Sequence, residues 1–251
     1  MPRPLHVADH AERLARHFTV TRPHGPGPHP VVIQFHGCGG RQPFHDDYAE
    51  AAKAIGVASV VVDSFAPRRI SRRAAQVGVC TGLRLRGAER SADLFAALHW
   101  LAGQDWVDQD RIAAAGWSHG GWTVMDALAG SYPATGLVDG APERLERLRA
   151  AVLVYPYAGP ISLTVGKGWG PHKPKVSAIL ATADRVVGHA APRRALDRLA
   201  RDGLDVEVLT LQGATHGFDD PDALDPRSRY RPEQAAQARA FFTDALRAAF
   251  V

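Results

Sequence analysis

Short apolar runs recur along the chain, separated by polar segments and by segments rich in glycine and proline. Runs with the length and composition of β-strands lie at 18–22, 31–35, 57–62, 111–116, 151–155, 176–181 and 206–211. Helical spacing of apolar residues occurs at 1–17, 45–56, 87–103, 192–201 and 232–250, and a further helix-compatible run follows position 118. Strands that alternate with helices favour right-handed crossovers. We therefore expect an α/β fold, with a mostly parallel central sheet and helices on both faces.

Composition places this sheet in an ordinary globular protein. The 251 residues are 45% hydrophobic and 22% charged, values that suit a single domain over 1–251 in which 1–30 is an N-terminal extension with an edge strand. A net charge of +4 is too small to indicate a nucleic-acid partner. There is no run of about 18 apolar residues that would span a membrane. The first residues contain no apolar core of a secretion signal, so we expect a cytoplasmic protein.

A Gly-x-Ser-x-Gly turn lies between the fourth predicted strand and the helix-compatible run. Ser118 is at its centre, and Gly116 and Gly120 supply the room that a strand and a helix need to approach each other. A serine at such a turn presents its hydroxyl above the end of the sheet, beside the N–H groups that begin the following helix. Ser118 is therefore the candidate nucleophile.

Parallel sheets place their binding sites at the carboxyl ends of the strands, where two further residues stand out. Asp184 follows the strand at 176–181, and His216 follows the strand at 206–211. A serine hydroxyl needs a base to remove its proton, and an imidazole base needs a carboxylate to fix its tautomer. Ser118, Asp184 and His216 supply these groups in the chain order Ser–Asp–His.

Other residues compete for two of these roles. His189 also follows Asp184, but it lies at a predicted helix start from which Ser118 is harder to reach. Asp139 and Asp197 are alternative carboxylates, although neither directly follows a strand. His216 and Asp184 are preferred for these reasons.

The loop after the second predicted strand reads His36-Gly-Cys-Gly-Gly40. Its flexible backbone lies beside the nucleophile, so the N–H of Cys38 and the N–H of His119 are candidate oxyanion donors. The side chain of Cys38 is expected to be small and structural, and the side chains of His36 and His119 to orient or pack.

The most basic part of the chain runs from 67 to 90, and it has three interpretations. It can be a solvated, flexible surface, it can bind a polyanion, or Arg68 can reach the rim of the site and bind an anionic substrate group. In the last case an ester that carries a carboxylate should react about tenfold faster than a neutral analogue. Trp117, next to the nucleophile, is expected to pack in the core and to contact the substrate.

The sequence contains few patterns typical of metal sites or disulfide bonds. His6 and His10 form the one His-x-x-x-His pair, no third ligand is evident near it, and it is interpreted as a solvated helix face, so we expect no metal. Two cysteines do not make a disulfide framework. We expect Cys38 and Cys80 to be reduced in the cell but close enough to bridge on oxidation.

Together these residues resemble the α/β-hydrolase superfamily and, within it, the dienelactone hydrolase family. The resemblance covers about 31–250 and is carried by the loop at 35–40, the segments 63–68 and 116–121, Asp184, and the segment 213–219. It implies the nucleophile, acid and base named above, no cofactor and no separate lid domain. Departures from the founding members are Ser118 in place of a cysteine nucleophile, His36 near the position of an activating glutamate, and Asp219 and Asp220 where a substrate-binding arginine is expected.

The sequence thus predicts a serine hydrolase that cleaves carboxylic esters of small soluble substrates through an acyl-enzyme. A small peptidase or amidase on the same fold, and a non-catalytic binding protein that retains the fold, are the alternatives. The segment 156–175 is too short for a helical lid, so we expect an open cleft that prefers short acyl chains. The expected partner is a small-molecule ester, and the expected state is a monomer or homodimer.

Overall fold

The apolar runs of the sequence form one seven-stranded sheet in a computed structural model that describes residues 5–79, 84–139 and 142–250. The strand order is β1-β3-β2-β4-β5-β6-β7, with β1 antiparallel to β3 and every other neighbouring pair parallel. The strands are β1 (Phe18–Thr21), β2 (His29–Phe35), β3 (Ala58–Val62), β4 (Val107–Trp117), β5 (Leu148–Val154), β6 (Lys175–Ala181) and β7 (Val206–Leu211). The predicted mostly parallel sheet is confirmed.

Helices cover both faces of this sheet, because side chains on a strand point alternately to opposite sides. In β2, Ile33 belongs to one apolar cluster and its neighbour Val32 to the other. The helices are α1 (Val7–Ala15), α2 (Phe44–Ala54), α3 (Arg72–Gly78), α4 (Gly87–Arg90), α5 (Ala92–Leu101), α6 (His119–Leu128), α7 (Leu163–Lys167), α8 (Ala190–Arg201) and α9 (Pro232–Phe250). Residues of α1, α5, α6 and α8 contribute to the first cluster, and residues of α2 and α9 to the second.

Three segments differ from the sequence prediction. The helix expected over 87–103 is two helices, α4 and α5, separated at Ser91, whose hydroxyl bonds to the carbonyl of Ala88 at 2.6 Å. Within the basic segment lies α3, whose N-terminus is capped by Ser71 through its Oγ, which accepts the N–H of Ala74 at 3.3 Å. The irregular segment 156–175 contains the short helix α7. In all three cases side-chain hydrogen bonds or local turns decide the structure, and apolar periodicity does not report them.

The helix α6 approaches the sheet more closely than any side chain would permit. A Cβ atom on Gly120 would overlap the carbonyl oxygen of Phe35 in β2, and one on Gly116 would overlap the backbone of Gly120. A Cβ on Gly121 would lie 2.7 Å from Cβ of Pro156. The glycines of the serine turn are therefore required by packing, as the sequence predicts.

Within residues 5–79, 84–139 and 142–250, no helix is both long and apolar enough to cross a bilayer.

Gly120→Ala should destabilise the fold by more than about 3 kcal/mol, because the added methyl group meets backbone that cannot move aside. Urea denaturation of the variant measures this loss. Gly166→Ala is the matched control, since a Cβ there would have no neighbour within 4 Å, and its stability should change by less than about 0.5 kcal/mol. Equal stability of the two variants would contradict the close approach.

Candidate active site

Ser118 occupies a strained turn between β4 and α6. Its φ is 52° and its ψ is −111°, a conformation that is rare for a residue with a side chain. Backbone hydrogen bonds hold it: the Ser118 N–H donates to Val154 at 2.9 Å, and the Ser118 carbonyl accepts from Trp122 at 3.1 Å and from Tyr157 at 3.2 Å. The strain is therefore sustained by β5 and by the first turn of α6.

His216 and Asp184 meet at this serine. The His216 Nδ1–H donates to Oδ2 of Asp184 at 2.7 Å, and its Nε2 accepts from the Ser118 hydroxyl at 2.8 Å. All three residues are less than 10% exposed. The structure thus brings together Ser118, His216 and Asp184, the residues selected from the sequence as candidate nucleophile, base and carboxylate.

Asp184 is held by the loop that follows β6. Its Oδ1 accepts the N–H groups of Val186 at 2.8 Å and Val187 at 3.0 Å, which leaves Oδ2 for His216. Burial alone would raise the pKa of Asp184, but the hydrogen bond and charge of His216 bring that pKa below its ordinary value. The carboxylate is therefore ionised at neutral pH and accepts from the Nδ1–H of the histidine.

The alternative carboxylates lie elsewhere. Asp139 accepts from His6 and from the N–H of Val7 at the start of α1, while Asp197 pairs with Arg193 along α8. Both are engaged in local contacts away from Ser118.

The loop after β2 passes directly beside the serine. A Cβ on Gly37 would lie 3.4 Å from Cβ of Ser118, and Cys38 lines the same cavity as Ser118. The His36 ring fixes the start of the loop: its Nδ1–H donates to the Gly37 carbonyl at 2.7 Å, and its Nε2 accepts the Ser64 N–H at 3.1 Å. Burial lowers the pKa of His36, so the ring is neutral, as this pair of hydrogen bonds requires. Cys80 lies outside the described residues, so its predicted proximity to Cys38 stays a prediction.

The prediction that Arg68 reaches the rim of the site is wrong. Its two terminal nitrogens donate to Asp93 at 2.9 and 2.7 Å, and Nη1 also donates to the Ser64 carbonyl at 2.7 Å. Asp93 is fully buried, so its charge needs a cationic partner. Arg68 supplies that charge and is absent from the residues that line the cavity.

His10 contacts the same carboxylate. Its Nε2 lies 2.7 Å from Oδ1 of Asp93, and the residue is 1% exposed. The interpretation of His6 and His10 as a solvated helix face is therefore wrong for His10. Among the residues that the structure describes, no group of three His, Cys, Asp or Glu side chains could hold a metal ion.

A cavity of about 370 Å³ opens above Ser118. Its outer wall is formed by the segment that follows His216. The wall residues are Gly217, Asp220, Ala223, Leu224, Asp225, Pro226, Arg227 and Ser228. This segment contains no strand or helix in the structure, and apolar periodicity gives no signal for it.

Two arginines line this cavity, and each has an acidic neighbour. Arg227 binds Asp225 through Nε at 2.9 Å and Nη2 at 2.6 Å. Arg72 lies 3.8 Å from Asp220. The charges at the rim therefore balance.

A buried carboxylate lies beneath the cavity. Asp219 accepts hydrogen bonds from the Tyr48 hydroxyl at 2.8 Å, the Tyr155 hydroxyl at 2.6 Å and the Trp117 indole at 3.0 Å. The Tyr155 ring lies 4.6 Å from the ring of His216. Asp219 therefore fixes the base of the loop that carries His216, a role that the sequence analysis missed. Trp117 is 1% exposed, lines the cavity and packs in the core, as expected.

Comparison with solved structures identifies the architecture. A dienelactone hydrolase-like promiscuous phosphotriesterase from metagenomic libraries superposes with a TM-score of 0.66 at 19% identity, over 93% of this chain and 99% of that one. The chain has the α/β-hydrolase fold. The Thermogutta terrifontis esterase 2, solved with propionate bound, gives a TM-score of 0.61 at 20% identity, over 90% and 86% of the two chains. Est1E from Butyrivibrio proteoclasticus, solved with ferulic acid bound, gives 0.60 at 15% identity, over 92% and 95%. The predicted fold is confirmed by these likenesses.

Sequence comparison covers less of the chain. Residues 81–134 match the model of the prolyl oligopeptidase family, a segment that contains the serine turn. An uncharacterised 31.7 kDa protein of Escherichia coli is 30% identical over 128 residues, which are 50% of this chain and 41% of that relative. The match thus spans less than half the length of the curated relative.

Arg68→Met should destabilise the protein by about 3–5 kcal/mol at neutral pH, because Asp93 would keep a buried charge without its arginine. Burial alone would raise the pKa of Asp93, but Arg68 and His10 hold it well below its ordinary value. In the wild type the resulting stability is present above about pH 4 and is lost as the pH falls. In the variant, protonation of Asp93 removes the buried charge that Arg68 no longer balances, so the difference in unfolding free energy between wild type and variant should shrink towards acid.

Urea denaturation at pH 7 and near pH 4 measures both parts of this prediction. A difference below about 1 kcal/mol at pH 7 would contradict the assignment of Arg68 as the partner of a buried charge.

Proposed function

We propose that the protein is a serine hydrolase that cleaves carboxylic esters of small molecules through an acyl-enzyme. The observation that carries the proposal is the continuous chain of hydrogen bonds from Ser118 Oγ through His216 to Asp184 at the bottom of a cavity. The Thermogutta terrifontis esterase and the dienelactone hydrolase-like phosphotriesterase among its structural neighbours support ester hydrolysis.

In this mechanism Ser118 Oγ attacks the ester carbonyl carbon and transfers its proton to Nε2 of His216. Asp184 holds the histidine tautomer and stabilises the imidazolium. The tetrahedral oxyanion is bound by the N–H groups of Cys38 and His119. Collapse breaks the bond to the alcohol oxygen, which takes the proton from His216.

Water then reacts with the acyl-enzyme. His216 removes a proton from the water, whose oxygen attacks the acyl carbon. The second tetrahedral adduct then breaks its bond to Ser118 Oγ and releases the acid, and His216 returns the proton to that oxygen. The glycines of the 36–40 loop and the N-terminus of α6 suit backbone N–H donation in both steps.

An amidase or peptidase is the second candidate, because residues 81–134 match the prolyl oligopeptidase family. The same nucleophile and base can serve amide bonds. Comparing p-nitrophenyl esters with p-nitroanilides of the same acyl group separates the two activities. A non-catalytic binding protein on this fold would hydrolyse neither.

Ser118→Ala and His216→Ala should each lower kcat for p-nitrophenyl acetate by about a thousandfold or more, and Asp184→Asn by less. Ser118→Ala should also abolish labelling by a fluorophosphonate probe. His189→Ala is the control for the histidines and should keep wild-type kcat. If His216→Ala retained a tenth of the wild-type rate and His189→Ala lost it, the assigned base would be wrong.

The cavity indicates which esters would be accepted. A volume of about 370 Å³ is at the small end for ligand sites, which favours short acyl chains. Because Arg227 and Arg72 are matched by Asp225 and Asp220, the rim residues that the structure describes offer an anionic substrate no unpaired cation. Neutral short-chain esters are therefore the proposed substrates.

Asp225→Asn should shift this preference, since it removes the charge that neutralises Arg227. The ratio of kcat/KM for mono-p-nitrophenyl succinate to that for p-nitrophenyl butyrate should rise about tenfold, the effect of one charge-assisted contact at a partly exposed site.

Glu12→Gln is the control, because it removes the same charge from an exposed residue of α1 and should leave the ratio unchanged. An unchanged ratio in Asp225→Asn would exclude Asp225 as the group that sets the preference.

A further inference from the structure

Arg90 ends the short helix α4 and is wholly buried, which rules out for this residue the interpretation of the basic segment as a solvated surface. The reason is the packing of α4 on α6. A Cβ on Gly87 would lie 2.5 Å from the Trp122 ring, so the two helices are in close contact. The guanidinium carbon of Arg90 lies 5.9 Å from the centre of the Phe35 ring and 5.6 Å from that of Phe65.

The guanidinium contacts three segments that surround the serine. Its Nε donates to Oγ of Ser64, after β3, at 2.9 Å. Its Nη1 donates to the His36 carbonyl, at the end of β2, at 2.8 Å, and lies 3.2 Å from Nδ1 of His119, after β4. One side chain therefore joins the carboxyl ends of three adjacent strands.

Two of these contacts lie next to the proposed oxyanion donors. The His36 carbonyl is two residues before the Cys38 N–H, and His119 itself carries the second N–H. Burial, followed by the charge of Arg90, lowers the pKa of His119 to about 3, so its ring is neutral. The ring donates through Nε2 to the Leu85 carbonyl at 2.9 Å and accepts from Arg90 through Nδ1. The ring of His119 and the loop after β2 are thus both fixed by Arg90.

Stability alone does not account for this arrangement. A buried guanidinium is costly, and apolar side chains of similar volume often replace buried charges without loss of stability. In addition, Nη2 of Arg90 has no hydrogen-bond partner in the part of the chain that the structure describes. A donor left unsatisfied in a buried group calls for another explanation.

We infer that Arg90 is a positioning residue that sets the distance between the two backbone N–H donors of the oxyanion site, by tying the loop after β2 to the residue that follows Ser118. The inference rests on the proposed function. A planar guanidinium with several fixed N–H directions can hold these partners together, whereas a lysine ammonium carries the charge without that geometry.

The test compares Arg90→Lys and Arg90→Met with Arg68→Lys, a matched control that changes an arginine in the neighbouring ion pair with Asp93. Active-site concentration is measured by titration with a fluorophosphonate, so that any unfolded fraction is excluded. Removal of one oxyanion donor typically costs a hundredfold to a thousandfold in kcat, so displacement of the donors in either Arg90 variant should cost about 10- to 100-fold. KM should stay within about twofold, because the ground-state ester does not depend on these donors.

A second readout is the affinity for phenylboronic acid, which forms a tetrahedral adduct on the serine. It should weaken in the Arg90 variants by about the same factor as kcat/KM, and a loss of packing alone would not link the two quantities. Arg68→Lys should keep both kcat and boronate affinity within about twofold of wild type. An Arg90→Lys or Arg90→Met enzyme with wild-type kcat per active site would overturn the inference.

If the Arg90 variants do not fold, Ser64→Ala and His119→Leu each remove one side-chain acceptor of Arg90 while retaining the backbone N–H groups. Each variant should lower kcat by about 3- to 10-fold, which is part of the cost of losing one oxyanion donor. Wild-type kcat in both variants would overturn the inference.

Failure of the positioning role can be distinguished from failure of the proposed function. Ser118-dependent hydrolysis in the wild type with unaffected Arg90 variants refutes the positioning role alone, and its absence in the wild type refutes both.

Discussion

The strained backbone of Ser118 is the constraint on which the rest of the site depends. A residue with a side chain keeps a positive φ only where the surrounding structure holds it there. Here the cost is offset by backbone hydrogen bonds to β5 and by the packing of Gly120 on the carbonyl of Phe35. The same contact brings α6 against the end of β2. The loop that begins at His36 and the N-terminus of α6 are therefore neighbours because of the turn.

Two buried charges of opposite sign support this turn from different sides. Arg90 contacts the segments that carry the proposed oxyanion donors, and Asp219 holds the base of the loop that carries His216. Burial raises the pKa of Asp219, while the hydrogen bonds from Tyr155, Tyr48 and Trp117 favour its charged form. Each of the two groups makes polar contacts with three other residues, and these contacts tie separate segments together.

Local sequence patterns were sufficient for the sheet and for the residues at Ser118. The predicted strand at 206–211 has the same bounds as β7 in the structure. A short, mostly apolar run between turn residues is typical of a strand, whatever its partners are. The order of Ser118, Asp184 and His216 is equally local, since each directly follows a strand. Both inferences need only the rule that parallel strands end at one edge of the sheet.

The positions of Arg68 and Arg90 could not be predicted from local sequence patterns. Arg68 and Arg90 belong to a basic run that resembles a solvated surface, and their burial depends on Asp93, Ser64 and the His36 carbonyl. These partners come from other segments, so the pairing exists only after the sheet has formed. The wall of the cavity is also invisible to periodicity, because residues 217–228 form neither a strand nor a helix.

The position of that wall has a consequence for specificity. A loop that both carries the base and encloses the substrate would normally move the histidine whenever its outer part changed. In this protein Asp219 ties the start of the loop to Tyr48, Tyr155 and Trp117, only three residues beyond His216. Residues 220–228 lie beyond that anchor and supply most of the wall. Their side chains can therefore alter the size and charge of the cavity while the geometry between His216 and Ser118 is kept by the buried hydrogen bonds of Asp219.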